Sequence, residues 1–143
     1  MTKMMSSTLG LAAAFVAGFA FHGLVIDDST AHAQAAPRVF ELRTYTPAEG
    51  KLDSLHARFR DHTVRLFQRH GMTNVWYGKP MDAPLSQTTL IYLLAHQSRE
   101  AATKSWEAFR ADPEWTAAAK QSGVGPVKVE SVFLQATDYS PMK

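Results

Sequence analysis

The chain has no cysteine. Disulfides, thiolate zinc sites, iron–sulfur clusters and cysteine nucleophiles are therefore excluded. It also lacks a basic run: Arg38, Lys51, Arg58, Lys79, Lys104 and Lys128 are scattered, whereas a nucleic-acid reader usually shows a basic stripe. There is no phosphate-binding loop, Gly-rich dinucleotide turn, nucleophile elbow or His-Glu-x-x-His pair. His56 and His62 stand apart from any inward-facing His or acid at helical metal spacing. Neither a metal nor a cofactor is expected, and no nucleic-acid partner. With 143 residues the chain is sized for one domain and hardly two.

What is present begins with a leader. Lys3 is followed by an uncharged, largely apolar stretch from Leu9 to Ile26, ended by Asp27-Asp28. Ala31-His32-Ala33 then carries small residues three and one before a cut, the signal-peptidase pattern. Residues 1–33 are thus expected to be a signal peptide, 34–37 a linker and 38–143 the domain. The protein is expected to be exported, periplasmic or secreted. The alternative is a membrane anchor at residues 9–26, because that stretch nearly spans a bilayer core of about 30 Å. In that case the leader is the membrane contact. A mitochondrial presequence conflicts with the lack of any arginine before Arg38. Without Lys3, Asp27 and Asp28 the remainder carries 14 Lys+Arg against 11 Asp+Glu.

Arg38 to Thr46 alternates with period two and reads as a strand. Phe40, Leu42 and Thr44 point one way; Val39, Glu41, Arg43 and Tyr45 point the other. Glu49 to His70 is helical, with Leu52, Leu55, Phe59, Leu66 and Phe67 in one stripe and Gly71 as its C-cap. Arg58, Asp61, Arg65 and Arg69 are assigned to the solvated face. Met72–Lys79 and Thr88–His96 are strands joined through a breaker-rich turn. Ser98–Ala111 is a helix, and Asp112-Pro113 caps and opens another. Val127–Ala136 is the last strand.

The order β-α-β-β-α-β predicts an α+β, ferredoxin-like fold: a four-stranded antiparallel sheet with both main helices on one face. The third strand is apolar on both sides, Leu90, Tyr92 and Leu94 alternating with Ile91, Leu93 and Ala95. An uncovered face of that kind is too apolar for water. A second copy packing sheet to sheet is the simplest cover, so a homodimer is expected.

Five segments in order resemble the NIPSNAP family: Glu41-Leu42-Arg43-Thr44-Tyr45, Glu49-Gly50-Lys51-Leu52, Arg69-His70-Gly71, Asp112-Pro113-Glu114-Trp115 and Thr137-Asp138-Tyr139-Ser140-Pro141. The resemblance implies a dimeric α/β barrel in which two ferredoxin-like units pair their sheets. It implies no settled reaction. Related barrels include cofactor-free monooxygenases, haem-handling proteins and small isomerases.

Candidate ligand-binding residues are Glu41, Arg43, Tyr45, Tyr92, His96 and His62. With Phe40 and Leu42 taken as helix-facing, Glu41, Arg43 and Tyr45 are expected inside the dimer. There they could bind an anionic or phenolic small molecule, or Glu41 and Arg43 could simply pair. His62 falls near the apolar side of the first helix. It suits a general acid/base or a buried structural histidine. His96 stands at the end of the third strand. Trp106, Phe109 and Trp115 read as core or lid anchors. Three functions remain open: an exported small-molecule-binding dimer, a cofactor-free monooxygenase or isomerase using Arg43, Tyr45 and His96, and a non-catalytic partner-binding module.

Overall fold

The computed structural model describes residues 38–143. The expected signal peptide and linker lie outside them. The elements are β1 (Val39–Pro47), α1 (Leu52–Arg58), a π-helical turn (Phe59–Thr63), α2 (Val64–Arg69), β2 (Thr73–Gly78), β3 (Leu90–His96), α3 (Arg99–Ala111), α4 (Pro113–Gln121) and β4 (Val127–Gln135). The four strands pair antiparallel in the order β2-β3-β1-β4. This is the expected ferredoxin-like arrangement, an open sheet rather than a closed barrel.

Local chemistry sets the element ends. Gly71 takes φ 77, the left-handed conformation that ends a helix cheaply only for glycine. Met72 N–H reaches Phe67 C=O at 2.9 Å and Gly71 N–H reaches Gln68 C=O at 3.1 Å, so the last carbonyls of α2 are satisfied. Ser98 caps α3 by accepting from Ala101 N–H at 3.1 Å. Asp112 caps α4 by accepting from Glu114 N–H at 2.8 Å, with Pro113 at the first helical position.

The core lies between the helices and one sheet face. Leu55 and Leu66 from the first helical segment meet Tyr92 and Leu94 of β3, all fully buried. Rings fill the layer: Phe67 sits 5.2 Å from Trp106 and 4.9 Å from Phe109, and Phe109 sits 4.5 Å from Trp115. Each such side chain contributes about 1.5–3 kcal/mol by leaving water.

Register assigns the faces, and it reverses the expected one. Glu41, Arg43 and Tyr45 lie opposite Leu94, Tyr92 and Leu90, which belong to the helix-covered core. Phe40, Leu42 and Thr44 lie opposite Ala95, Leu93 and Ile91, on the uncovered face. Alternation was read correctly but the side was not. The charged strand face is the one under the helices, because Glu41 and Arg43 neutralise each other there. The uncovered face is apolar: Val132 is 54% exposed, Trp76 52% and Leu134 41%. The Trp76 ring lies across Gly78, where a Cβ would come within 2.3 Å of it. Residues 137–143 turn beside this face. A cavity of about 280 Å³ there is bordered by Phe40, Leu93, Leu134 and Met142.

Candidate functional site in the buried polar layer

A polar layer runs through the core between sheet and helices. At one end stands Glu41, 1% exposed. Its carboxylate accepts from Trp106 Nε1 at 2.8 Å and from Ser131 Oγ at 2.7 Å, and it lies 3.0 Å from His96 Nε2. Arg43 Nη1 donates to it at 2.5 Å. These partners come from β1, β3, β4 and α3, so one side chain joins four elements. Burial alone would push the Glu41 carboxyl up. Hydrogen bonds with His96, Ser131 and Trp106, with the Arg43 charge, outweigh that and hold it at about 2, against an ordinary 4.5.

Arg43 continues the layer. Its guanidinium lies 4.1 Å over the Trp106 ring, and Nη2 donates to Tyr45 Oη at 3.4 Å. Burial disfavours its charge, but Tyr45, Tyr92 and Glu41 reverse that and strengthen it. Tyr92 follows, stacked on Tyr77 with ring centres 5.4 Å apart and edge-on to Tyr45 at 5.1 Å. Burial, reinforced by Tyr45, pushes its phenol well above its usual range, with Arg43 opposing. Its hydroxyl is buried without a hydrogen-bond partner among the described residues.

At the far end stands Arg58, which the sequence pattern had assigned to solvent. It is 6% exposed. Its guanidinium lies 5.0 Å over the Trp115 ring. Among the described residues no carboxylate lies within 4 Å of it, and Nε has no acceptor. Burial pulls its pKa down, while Tyr45 and Tyr92 oppose that. The missed signal was its spacing: Arg58 follows Leu55 by three, a spacing that keeps it beside the buried stripe.

Five of the six candidates, Glu41, Arg43, Tyr45, Tyr92 and His96, thus come together, on the covered side of the sheet. His62 does not join them. It is half-buried and borders a separate cleft of about 230 Å³ between α1, the π turn and α4, which Arg58 also lines. Trp106 is more than an anchor, because its indole N–H donates to Glu41. Ser131 was also missed; small polar residues on an edge strand give no signal by periodicity. A second cleft of about 570 Å³ opens beside His56, Arg60 and Lys79. Burial, then Lys79, lowers the His56 pKa there. Among the described residues no three His, Asp or Glu side chains gather as a metal site would need.

Chemically, the Glu41 end is closed. Its carboxylate is held ionised, and Arg43 and His96 are both tied to it. The Arg58 end is a buried cation under the Trp115 ring, able to hold a negative charge.

Sheet order, crossover helices and an inward polar layer define a ferredoxin-like α+β domain. The NIPSNAP family profile matches residues 40–141, and the chain belongs to the NIPSNAP family. Among solved structures it is similar to a NIPSNAP family protein of unknown function from Agrobacterium tumefaciens: 17% identity, TM-score 0.65, covering 76% of this chain and 96% of that one. A NIPSNAP domain protein from Burkholderia xenovorans is 21% identical, with TM-score 0.60, covering 72% and 98%. SnoaB, a cofactor-independent oxygenase from Streptomyces nogalater, is 14% identical, with TM-score 0.50, covering 74% and 99%. At these identities the likenesses establish the fold alone. No curated protein matched the chain.

Proposed function

We propose that the chain is an exported, small-molecule-binding NIPSNAP domain that pairs with a second copy through its uncovered sheet face. One observation carries the binding reading: the polar layer holds two guanidiniums, Arg58 buried and Arg43 half-buried, against one carboxylate, Glu41. Buried charges are normally paired. A core built only for stability has little use for the second cation, whereas a ligand site does. The pairing reading is supported by Trp76, Val132 and Leu134, which expose apolar surface across the sheet. The export reading rests on the sequence of the leader, its apolar Leu9–Ile26 stretch and the Ala31-His32-Ala33 pattern.

The enzyme reading has less support. Of Arg43, Tyr45 and His96, the first and last are held by Glu41. The fold likeness to SnoaB says nothing of the residues that carry its reaction.

Native mass spectrometry of the protein, gently purified from cells that make it, tests all three parts. The expected species starts at Gln34, has twice the mass of the mature chain and carries a small bound molecule. A bare monomer that begins at Met1 contradicts the reading.

A further inference from the structure

We propose that Arg58 is the receptor for a small monocarboxylate, taken up in the cleft between the π turn and α4. This deepens the ligand-binding reading above and rests on it.

The case starts from the guanidinium. It is buried, lacks an acidic partner within 4 Å among the described residues, and keeps Nε free of any acceptor. One of its faces is occupied by Trp115. Its edge is a planar fork of donors, which matches the two oxygens of a carboxylate. A point cation imposes no such geometry, whereas the fork takes an oxyanion through two parallel bonds.

The cleft supplies room and company. About 230 Å³ is the share of roughly eight waters, enough for one ring or a short acid. Ser54, His62 and Gln121 line it with Arg58, and Ala57 and Ala118 add apolar wall. Ser54 lies one helical turn before Arg58, so both project along the same row of α1. Ser122 also lines the cleft, but its hydroxyl is already committed to the Ala119 carbonyl at 2.8 Å.

Two further features shape the site. Arg58 immediately precedes the π turn, and such turns occur frequently at functional sites. Thr63 Oγ1 donates to the Arg58 carbonyl at 3.2 Å across that turn, which fixes the backbone that carries the guanidinium. Asp61 also lines the cleft and is solvent-exposed. Its negative charge offsets part of the Arg58 attraction for any anion. The cost of taking an ion out of water grows with the square of its charge, so the weakened attraction favours a monoanion over the phosphate dianion.

Calorimetric titration of the full-length protein with benzoate, benzamide and inorganic phosphate tests this. Benzoate should bind once per chain, with benzamide and phosphate each at least about tenfold weaker, a difference of about 1.4 kcal/mol. Arg58→Met should abolish benzoate binding while circular dichroism stays that of the parent. Asp61→Asn, an exposed change that leaves the core untouched, should tighten benzoate and narrow the gap to phosphate. Equal binding of benzamide and benzoate overturns the proposal, as does benzoate binding that survives Arg58→Met or is unmoved by Asp61→Asn. If benzoate fails to bind while native mass spectrometry still finds a bound neutral molecule, the carboxylate proposal falls and the ligand-binding reading stands. If no bound molecule is found and none of the three titrants binds, both fall.

Discussion

Two clusters of arginine, histidine and carboxylate hold this domain together, and they differ mainly in where they lie. In the core, Glu41 gathers Arg43, His96, Trp106 and Ser131. At the surface, Asp112 and Glu114 gather Arg65, Arg69 and His70. The second cluster joins the end of α2 to the corner between α3 and α4, so it unites two of the segments that first suggested the family. His70 lies 2.7 Å from Asp112, closer than His96 lies to Glu41 at 3.0 Å. Distance alone would rank the surface cluster equal or better. Solvent decides otherwise. The side chains of Arg65 and Arg69 are 51% and 46% exposed, that of Glu41 only 2%. Exposed pairs trade protein contacts for water and are screened. A buried charge that loses its partner has nothing to replace it.

The sharpest way to break this comparison is Glu41→Gln. It should leave the half-buried Arg43 and the buried His96 without their carboxylate and cost about 3–5 kcal/mol, read as a large fall in the urea midpoint. A loss no greater than that of the surface variant below would contradict the ranking.

Acid titration sharpens it next. The Glu41 carboxyl is held at about 2 in the folded chain against an ordinary 4.5. The unfolded chain takes up that proton first as pH falls. Its stabilisation is therefore fully present above about pH 4.5 and is lost progressively down to about pH 2. Asp112 follows the same sign over a narrower window. The hydrogen bond with His70, then that from Glu114 N–H, lowers it from 3.8 to about 2. Stability measured between pH 5 and 2 should fall in the parent and fall much less in Glu41→Gln. A parallel fall in both would remove Glu41 as the main acid-sensitive group.

The smallest effect is expected from Asp112→Asn. Asparagine still caps α4, so what disappears is the charge that faces His70 and the exposed Arg69. The melting midpoint should drop by about two degrees or less, and the difference should shrink further in about 1 M salt. A large, salt-independent drop would mean that the corner is not a surface clasp.

Much of the fold was legible because its signals are local. Period-two alternation marked β1, the Leu52, Leu55 and Phe59 spacing marked the first helix, Gly71 ended it, and Asp112-Pro113 opened α4. The side of the sheet was not legible. Alternation separates Glu41, Arg43 and Tyr45 from Phe40 and Leu42 but does not say which set the helices cover. The usual preference for apolar residues inside gave the wrong choice, because the charged set is neutralised internally and the opposite face is apolar too. Candidate residues were found by type and adjacency, so Glu41, Arg43, Tyr45, Tyr92 and His96 were named although their location was reversed. Arg58 was missed for the opposite reason. Its spacing placed it on the buried stripe, and its charge argued it away.

The central claim is that the buried polar layer has a structural end at Glu41 and a ligand-binding end at Arg58. Urea unfolding of Arg58→Met, compared with the parent in ligand-free buffer, tests it most directly. Methionine keeps much of the side-chain volume and removes a buried cation that no carboxylate neutralises. The predicted result is a midpoint equal to or above the parent's, the reverse of Glu41→Gln. A loss of about 3–5 kcal/mol, matching that expected for Glu41→Gln, would show that Arg58 is part of the structural network and would contradict the division of the layer.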